Sequence, residues 1–441
     1  MVTSIEQFEK ELFQEHQEEA AFLYEQRLSI MFDDSIAWTA LGDFEARREA
    51  HMEALLIGGT STLRSCIRQA METQEPGDLY VASLLACRLV NEEALASFCG
   101  GAKPDEDGVR AMTDALVQAL PGEWLPSLLE VAMENPSITP VFIHVIGQRK
   151  ISGHDQWLDS CRREAGNHLA LCHAYTRLVA TSAASWLEQL LMHEGDQEVR
   201  VWAAIALLTF PVHARVLDFL RTDLEVSPWK WLPLGLAGSA SDVARFELCL
   251  NSSNLYLAEG YRALGLLGEA SSVPFLLDQL GDENHAPHAA GALNLMLGAE
   301  LYEEVFVPAQ PDPDEFNEEE MAMWERGETP LEPCGNPPGQ VETRIVQDKN
   351  IWQQWWLANE PHFCSGRFRH GEACQPLVLV TGMKEMGTPN LARQWNALEL
   401  AIRYKVALHL DIYAPVTLQW QQIHVYEAQM GHVSLATGAE A

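Results

Sequence analysis

Apolar and polar positions repeat as a unit over residues 228–298. Leu234, Gly235, Leu236, Gly238, Ala240, Ser241, Val243 and Leu250 recur thirty residues later as Leu264, Gly265, Leu266, Gly268, Ala270, Ser271, Val273 and Leu280. A third copy begins at Ala292 and Leu293, and an earlier one covers residues 198–207 and 214–220. In each copy a Leu-rich stretch with helical spacing ends at a small residue or glycine. A short Ser/Ala/Asp turn and a second apolar-periodic stretch follow. A single pair of short helices cannot bury its apolar face, so a period near thirty predicts helix pairs stacked on one another as a solenoid. Gly238 and Gly268 suit the left-handed position after a helix end, and Ser241 and Ser271 suit the cap of the next helix.

Weaker copies of the pattern extend backwards. Residues 79–89 and 92–98, 108–120 and 124–133, 137–147 and 155–164, and 168–180 and 183–194 read as successive pairs, giving six to eight pairs over residues 77–298. Residues 1–76 read as a helical cap. Thr3 to Glu6 forms a capping box, and Ile5, Phe8, Leu12, Phe22 and Leu23 form an apolar stripe. A second helix runs through Trp38, Leu41 and Phe44, with Arg47 and Arg48 expected to face the acidic first helix. Over residues 300–345 the texture changes. Twelve acidic residues precede Pro333, with Arg326 the single basic one, and prolines stand at 308, 311, 313, 330, 333, 337 and 338. That composition predicts a linker or a partner-facing arm. Residues 346–441 read as a small, Trp-rich α(+β) module. It holds a helix over 390–404 capped by Thr388, an extended or strand-like segment at Val406, Leu408, Leu410 and Ile412, and a last helix near 416–426. The fold class expected is therefore all-α, a helical-repeat solenoid with an N-terminal helical cap and a small C-terminal module.

Charge narrows the partners. The 441 residues carry 63 acidic and 29 basic side chains, a net charge of −34. Phosphate recognition needs clustered Lys and Arg, so nucleic acid is excluded as an expected partner, and anionic membrane surfaces with it. The N-terminus has no signal-peptide pattern and no apolar run is long enough to span a bilayer. The nine cysteines, an odd number scattered along helical segments, read as reduced thiols. A cytoplasmic location is expected.

Chemistry-bearing motifs are few. His362, Cys364, His370 and Cys374 offer four zinc-type ligands within thirteen residues, but without a Cys-x2-Cys pair, and no metal or cofactor is expected. His285 and His288 lack the general base of His-Glu-x-x-His, and no phosphate-binding loop or nucleophile elbow is present. No catalytic residue is assigned. The expected interaction surface is the concave face of the solenoid, placed on the second helix of each pair, with Glu188, Asp218, Arg221, Glu247, Asp278 and Gln279 as its exposed polar positions. Trp352, Trp355 and Trp356 span one helical turn and form either a docking face for the C-terminal module or an aromatic contact for a partner.

The run from Asp196 to Leu207, Asp-x-x-Val-Arg-x-x-Ala-Ala-x-Ala-Leu, resembles a HEAT-like repeat. Residues 15–27 (EHQEEAAFLYEQR), 41–51 (LGDFEARREAH), Leu55, Gly58 and Gly59, 301–308 (LYEEVFVP), Trp352 with Trp355 and Trp356, and 367–371 (RFRHG) are similar, in the same order, to a bacterial family of uncharacterised HEAT-repeat proteins frequently encoded with type VI secretion components. The resemblance implies a non-enzymatic accessory role, as adaptor or chaperone for an effector or spike protein, and brings no catalytic residues with it. Two other readings are a bilin lyase-like enzyme, since some HEAT-like proteins have that activity, and a structural subunit of an unrelated assembly.

Overall fold

The computed structural model describes residues 4–33, 36–211, 214–252, 255–308, 316, 321, 323–324, 326–327 and 339–437. Among these the fold is all-α, with two small antiparallel sheets as the additions. The chain divides into two compact units, Met1–Gly238 with Gln375–Ala441, and Ser239–Cys374. The C-terminal stretch read as one module, 346–441, thus contributes to both.

The first unit opens with the helix Ser4–Ile30, which packs on Leu41–Ile57 and on Pro76–Arg88. Arg27 is buried and pairs with Glu45 at 2.7 Å. Arg48 is buried beside Tyr80, whose ring stacks on Tyr24 of the first helix. Its guanidinium lies 4.8 Å from the ring centroid of Tyr80, where its alkyl stem is buried too, while Arg47 is exposed. The capping box at Thr3 lies outside the described residues.

Helix pairs follow, close to their expected limits. The first members Pro76–Arg88, Glu106–Ala119, Thr139–Gln148, His168–Leu178 and Gln197–Thr209 pack one on the next. The second members Glu92–Gly101, Leu125–Glu134, Asp155–Cys161, Ala184–His193 and Ala214–Leu220 alternate with them along the chain. Side-chain caps start several of these helices: Asn91 accepts from Ala94 N–H, Asp105 from Gly108 N–H, and Asp196 from Glu198 and Val199 N–H. First members approach closely where side chains are small. A Cβ at Gly147 would stand 2.6 Å from Ala174 Cα, so only glycine lets these two helices meet.

Three helices of the C-terminal stretch complete the unit: Pro376–Lys384, Asn390–Arg403 and Val416–Thr437. Asn390–Arg403 packs against Gln197–Thr209 and Trp231–Ala237. The helix begins after Pro389, and Thr388 is buried rather than capping it. Residues 404–415 hold no strand, and the segment turns at Asp411, whose carbonyl accepts from Ala414 N–H at 3.1 Å. Leu408, Leu410 and Ile412 of the expected alternation are buried, while Val406 is half-buried and Asp411 is buried between them.

The second unit holds the clearest repeats, with helices Val243–Ser252, Leu257–Leu267, Val273–Gln279 and Ala286–Leu297. Gly268 takes the left-handed conformation (φ +72°), whereas Gly238, at the end of the first unit, is extended (φ −66°, ψ −174°). The cap expected at Ser241 is built one turn differently: Asp242 accepts from the N–H of Ser239 at 3.0 Å. Tyr302–Pro308 and Gly339–Ile345, the two ends of the Pro-rich stretch, pair antiparallel with Tyr302 opposite Ile345. A two-residue hairpin, Phe368–Arg369 with Glu372–Ala373, follows the helix Lys349–Asn359. Arg367 donates to Leu267 O (2.7 Å) and Arg369 to Leu266 O (2.8 Å), two cations on the carbonyl end of Leu257–Leu267.

Candidate functional site

A cleft of about 730 Å³ lies within the first unit. Four successive first-member helices form one wall, and the segment 404–415 with Asn390–Arg403 forms another. Each helix presents its residues at helical spacing. Glu106–Ala119 gives Glu106, Arg110 and Thr113; Thr139–Gln148 gives His144 and Gln148. His168–Leu178 gives His173 and Arg177; Gln197–Thr209 gives Glu198 and Trp202. Residues one turn apart on a helix share a face, which is why each pair points the same way.

The rings form a continuous row. His144 and His173 lie 5.4 Å apart by centroid, and His173 stands edge-on to Trp202 at 4.1 Å. Burial pushes the His144 imidazole down to about 3, and burial, then His144, Arg110 and Arg177, hold His173 well below its ordinary value. Both rings are therefore neutral at pH 7 and present one donor and one acceptor each. Arg110 stacks on Tyr413, its guanidinium carbon 3.6 Å from the ring centroid. Close by, Tyr24 Oη donates to the buried Asp114 carboxylate at 2.9 Å. Burial raises the Asp114 carboxyl to about 7, with the Arg110 charge pulling the other way.

Several polar atoms lining the cleft are left unsatisfied. Thr113 is 2% exposed and its Oγ1 has no hydrogen-bond partner. Gln148 Oε1 and His173 Nε2 are enclosed and also lack partners. A buried polar atom without a partner costs about 1–3 kcal/mol.

The far wall is main chain from this protein itself. Arg177 donates to the carbonyls of His409 (3.4 Å) and Leu410 (3.1 Å), while Tyr426 Oη accepts from the N–H of His409 (2.7 Å) and Leu410 (3.2 Å). Lys405 Nζ donates to Leu208 O and Phe210 O, at the carbonyl end of Gln197–Thr209. Lys150 Nζ sits 3.1 Å from His409 Nδ1. The segment is thus held by its carbonyls from Arg177 on His168–Leu178 and by its N–H groups from Tyr426 on Val416–Thr437.

The polar positions expected from sequence lie elsewhere. Glu188 and Asp218 are exposed on second-member helices, and Asp218 pairs with Arg221 at 3.4 Å. None of these three lines the cleft. In the second unit, Glu247 is half-buried and its carboxyl is raised by burial. Asp278 is exposed and pairs with Lys349 at 2.8 Å, and Gln279 accepts from Tyr261 Oη at 3.2 Å. Trp352 is fully buried and donates to Val346 O at 2.6 Å; Trp355 and Trp356 pack on Phe363. These contacts are those of a helix docking within its own unit. His362 bonds Gly371 O and Cys364 Sγ lies 2.8 Å from Pro361 O. Among the described residues no group of three or more His, Cys, Asp or Glu side chains could hold a metal.

Placing the binding face on the second helices left the cleft residues unassigned from sequence. His144, His173 and Trp202 recur at intervals of twenty-nine residues, close to the period near thirty. Among the described residues no helix is long and apolar enough to cross a membrane. No family model matches the chain, and neither a curated protein nor a solved structure matches it.

Proposed function

We propose that the helix pairs are HEAT-like solenoid repeats and that the chain is a non-enzymatic scaffold that binds an extended segment of a partner protein in the cleft of the first unit. The observation that carries this reading is the segment 404–415. Arg177 on this inner face already holds two successive carbonyls of a segment of the chain itself, whose Leu408, Leu410 and Ile412 are buried, in the same cleft that Thr113, Gln148 and His173 line. The setting implied by the family resemblance is type VI secretion, with an effector or spike protein as partner.

The test is affinity capture of the tagged chain from cells expressing the secretion system, with mass spectrometry of what is recovered. Wild type and Glu188→Ala are expected to recover the same effector or spike protein, and Trp202→Ala to lose it at least tenfold. Equal recovery by Trp202→Ala would remove the cleft from the account. Recovery of neither an effector nor a spike protein would remove the secretion setting.

A further inference from the structure

The two-stranded ribbon of the second unit leaves a strand edge unpaired. Val346 N–H donates to Leu301 O at 2.9 Å, and the strands pair without a bulge from Tyr302 opposite Ile345 to Pro308 opposite Gly339. Bonded and non-bonded positions alternate in an antiparallel ladder, so the ladder bonds fall at Glu303 with Arg344 and at Val305 with Glu342. The N–H and C=O groups of Val341, Thr343 and Ile345 therefore point away from the first strand, and among the described residues they have no hydrogen-bond partner. Residues 341–344 are all exposed. The strand Gly339–Ile345 has no proline, lysine or bulge, the devices that keep an edge from pairing with another chain.

Its side chains select what can pair there. On one face of the ribbon Tyr302 stands beside Ile345 and Phe306 beside Val341, and Tyr302, Phe306 and Val341 are 55%, 44% and 64% exposed. On the other face Arg344 pairs with Glu303 at 2.9 Å, two positions along the strand from Glu342. An antiparallel strand of the same sequence, centred on Thr343, sets Glu342 opposite Arg344 of the second copy and Arg344 opposite its Glu342. These are non-hydrogen-bonded positions, where facing side chains come closest. The same register sets Val341 opposite Ile345, so one face carries the row Phe306, Val341, Ile345, Tyr302 across four strands, and carries it twice. Centring on Glu342 or on Arg344 would instead put like charges face to face. The strand Tyr302–Pro308 bears only acidic charges, Glu303 and Glu304, so its own edge forms no ion pair with itself in any register.

We propose that a second copy of this chain pairs on this edge, strand Gly339–Ile345 against its twofold mate with Thr343 at the centre, and closes a four-stranded antiparallel sheet between the copies. The surface is separate from the cleft of the first unit and does not depend on what the cleft binds. A net charge of −34 on each copy opposes association, so the test must separate the edge from the general field.

The full chain is followed by sedimentation equilibrium at 150 mM salt. Wild type is expected to dimerise. Glu342→Arg alone sets Arg against Arg344 of the second copy and is expected to weaken the dimer at least tenfold, although it makes the chain less acidic. Glu303→Arg/Arg344→Glu keeps the ribbon's own ion pair with its sign reversed, sets Glu against Glu342, and is expected to weaken the dimer equally. Mixed in equal amounts, the two variants are expected to form a dimer with each other, because every Arg at 342 or 344 then meets a Glu. Wild type remaining monomeric at about 100 µM would overturn the proposal. A dimer that neither variant weakens would overturn the strand edge, and a mixture that stays monomeric while both variants keep the circular dichroism of wild type would overturn the register.

Discussion

His173 meets Trp202 edge to face, with ring centroids 4.1 Å apart, and the two stand one repeat period apart in the chain. That relationship defines the floor of the cleft. It exists because Thr139–Gln148, His168–Leu178 and Gln197–Thr209 pack one on the next, so residues twenty-nine positions apart become neighbours. The same stacking puts His144 next to His173.

The neutral state of these rings has a measurable consequence. The folded pKa of His144, about 3, lies below the ordinary 6.5, so the folded state disfavours the imidazolium. Stability from this source is fully present above pH 6.5 and is lost as pH falls toward 3. In a ring-proton NMR titration the His144 signal should stay constant between pH 8 and pH 5. A midpoint near 6.5 would show that the cleft floor is open to bulk water.

Asp114 acts in the opposite direction. Burial raises its folded pKa from 3.8 to about 7, so between these values the folded state keeps a proton that the unfolded chain releases. Stability from this group is present at low pH and falls as pH rises to 7, by about 1.4 kcal/mol per unit across that window at most. Asp114→Asn keeps an acceptor for Tyr24 and removes the titration. Urea unfolding should show the variant gaining on wild type by several kcal/mol between pH 4.5 and 7.5. A constant difference across that range would refute the buried neutral carboxyl.

Close helix approach at Gly147 sets the spacing of the rings. A Cβ there would lie 2.6 Å from Ala174 Cα, a backbone atom that cannot swing aside. Gly147→Ala should destabilise the chain by about 1–3 kcal/mol, as overpacking does. Gly122→Ala, where a Cβ meets nothing within 4 Å, serves as the control and should change stability by less than about 0.5 kcal/mol. Equal effects of the two in urea unfolding would contradict the packing described.

Arg177 is the clamp on the segment 404–415. Its guanidinium holds two successive carbonyls, and bonds to charged donors contribute about 1.5–3 kcal/mol each. Arg177→Met keeps much of the apolar stem and removes the donors. Hydrogen exchange over residues 406–413 should quicken at least tenfold, with exchange in the helix Pro76–Arg88 unchanged. Unaltered exchange in 406–413 would show that the apolar side chains alone hold the segment.

Much of the architecture could be read from the chain. The alternation of helices over residues 77–298 follows from apolar spacing, and so does the burial of Leu408, Leu410 and Ile412. Long-range placement could not be read. Nothing local announces that residues 404–415 lie along the first helices, because the contacts that put them there, Arg177 to Leu410 and Lys405 to Leu208, join residues some two hundred positions apart. Which helix of each pair lines the concavity was likewise hidden. Both helices of a pair are amphipathic, and Glu188 and Asp218 are polar surface on the outer ones.

The central claim is that a partner's segment occupies the cleft formed by the first-member helices. The most direct measurement is photo-crosslinking in cells of the full chain with p-benzoylphenylalanine replacing Leu169, which lines the cleft, or Glu188, which is exposed on a second-member helix. The account predicts a discrete crosslinked protein from position 169, lost on Trp202→Ala, and none from position 188. A crosslink from position 188 and none from position 169 would contradict it and return the binding surface to the outer helices.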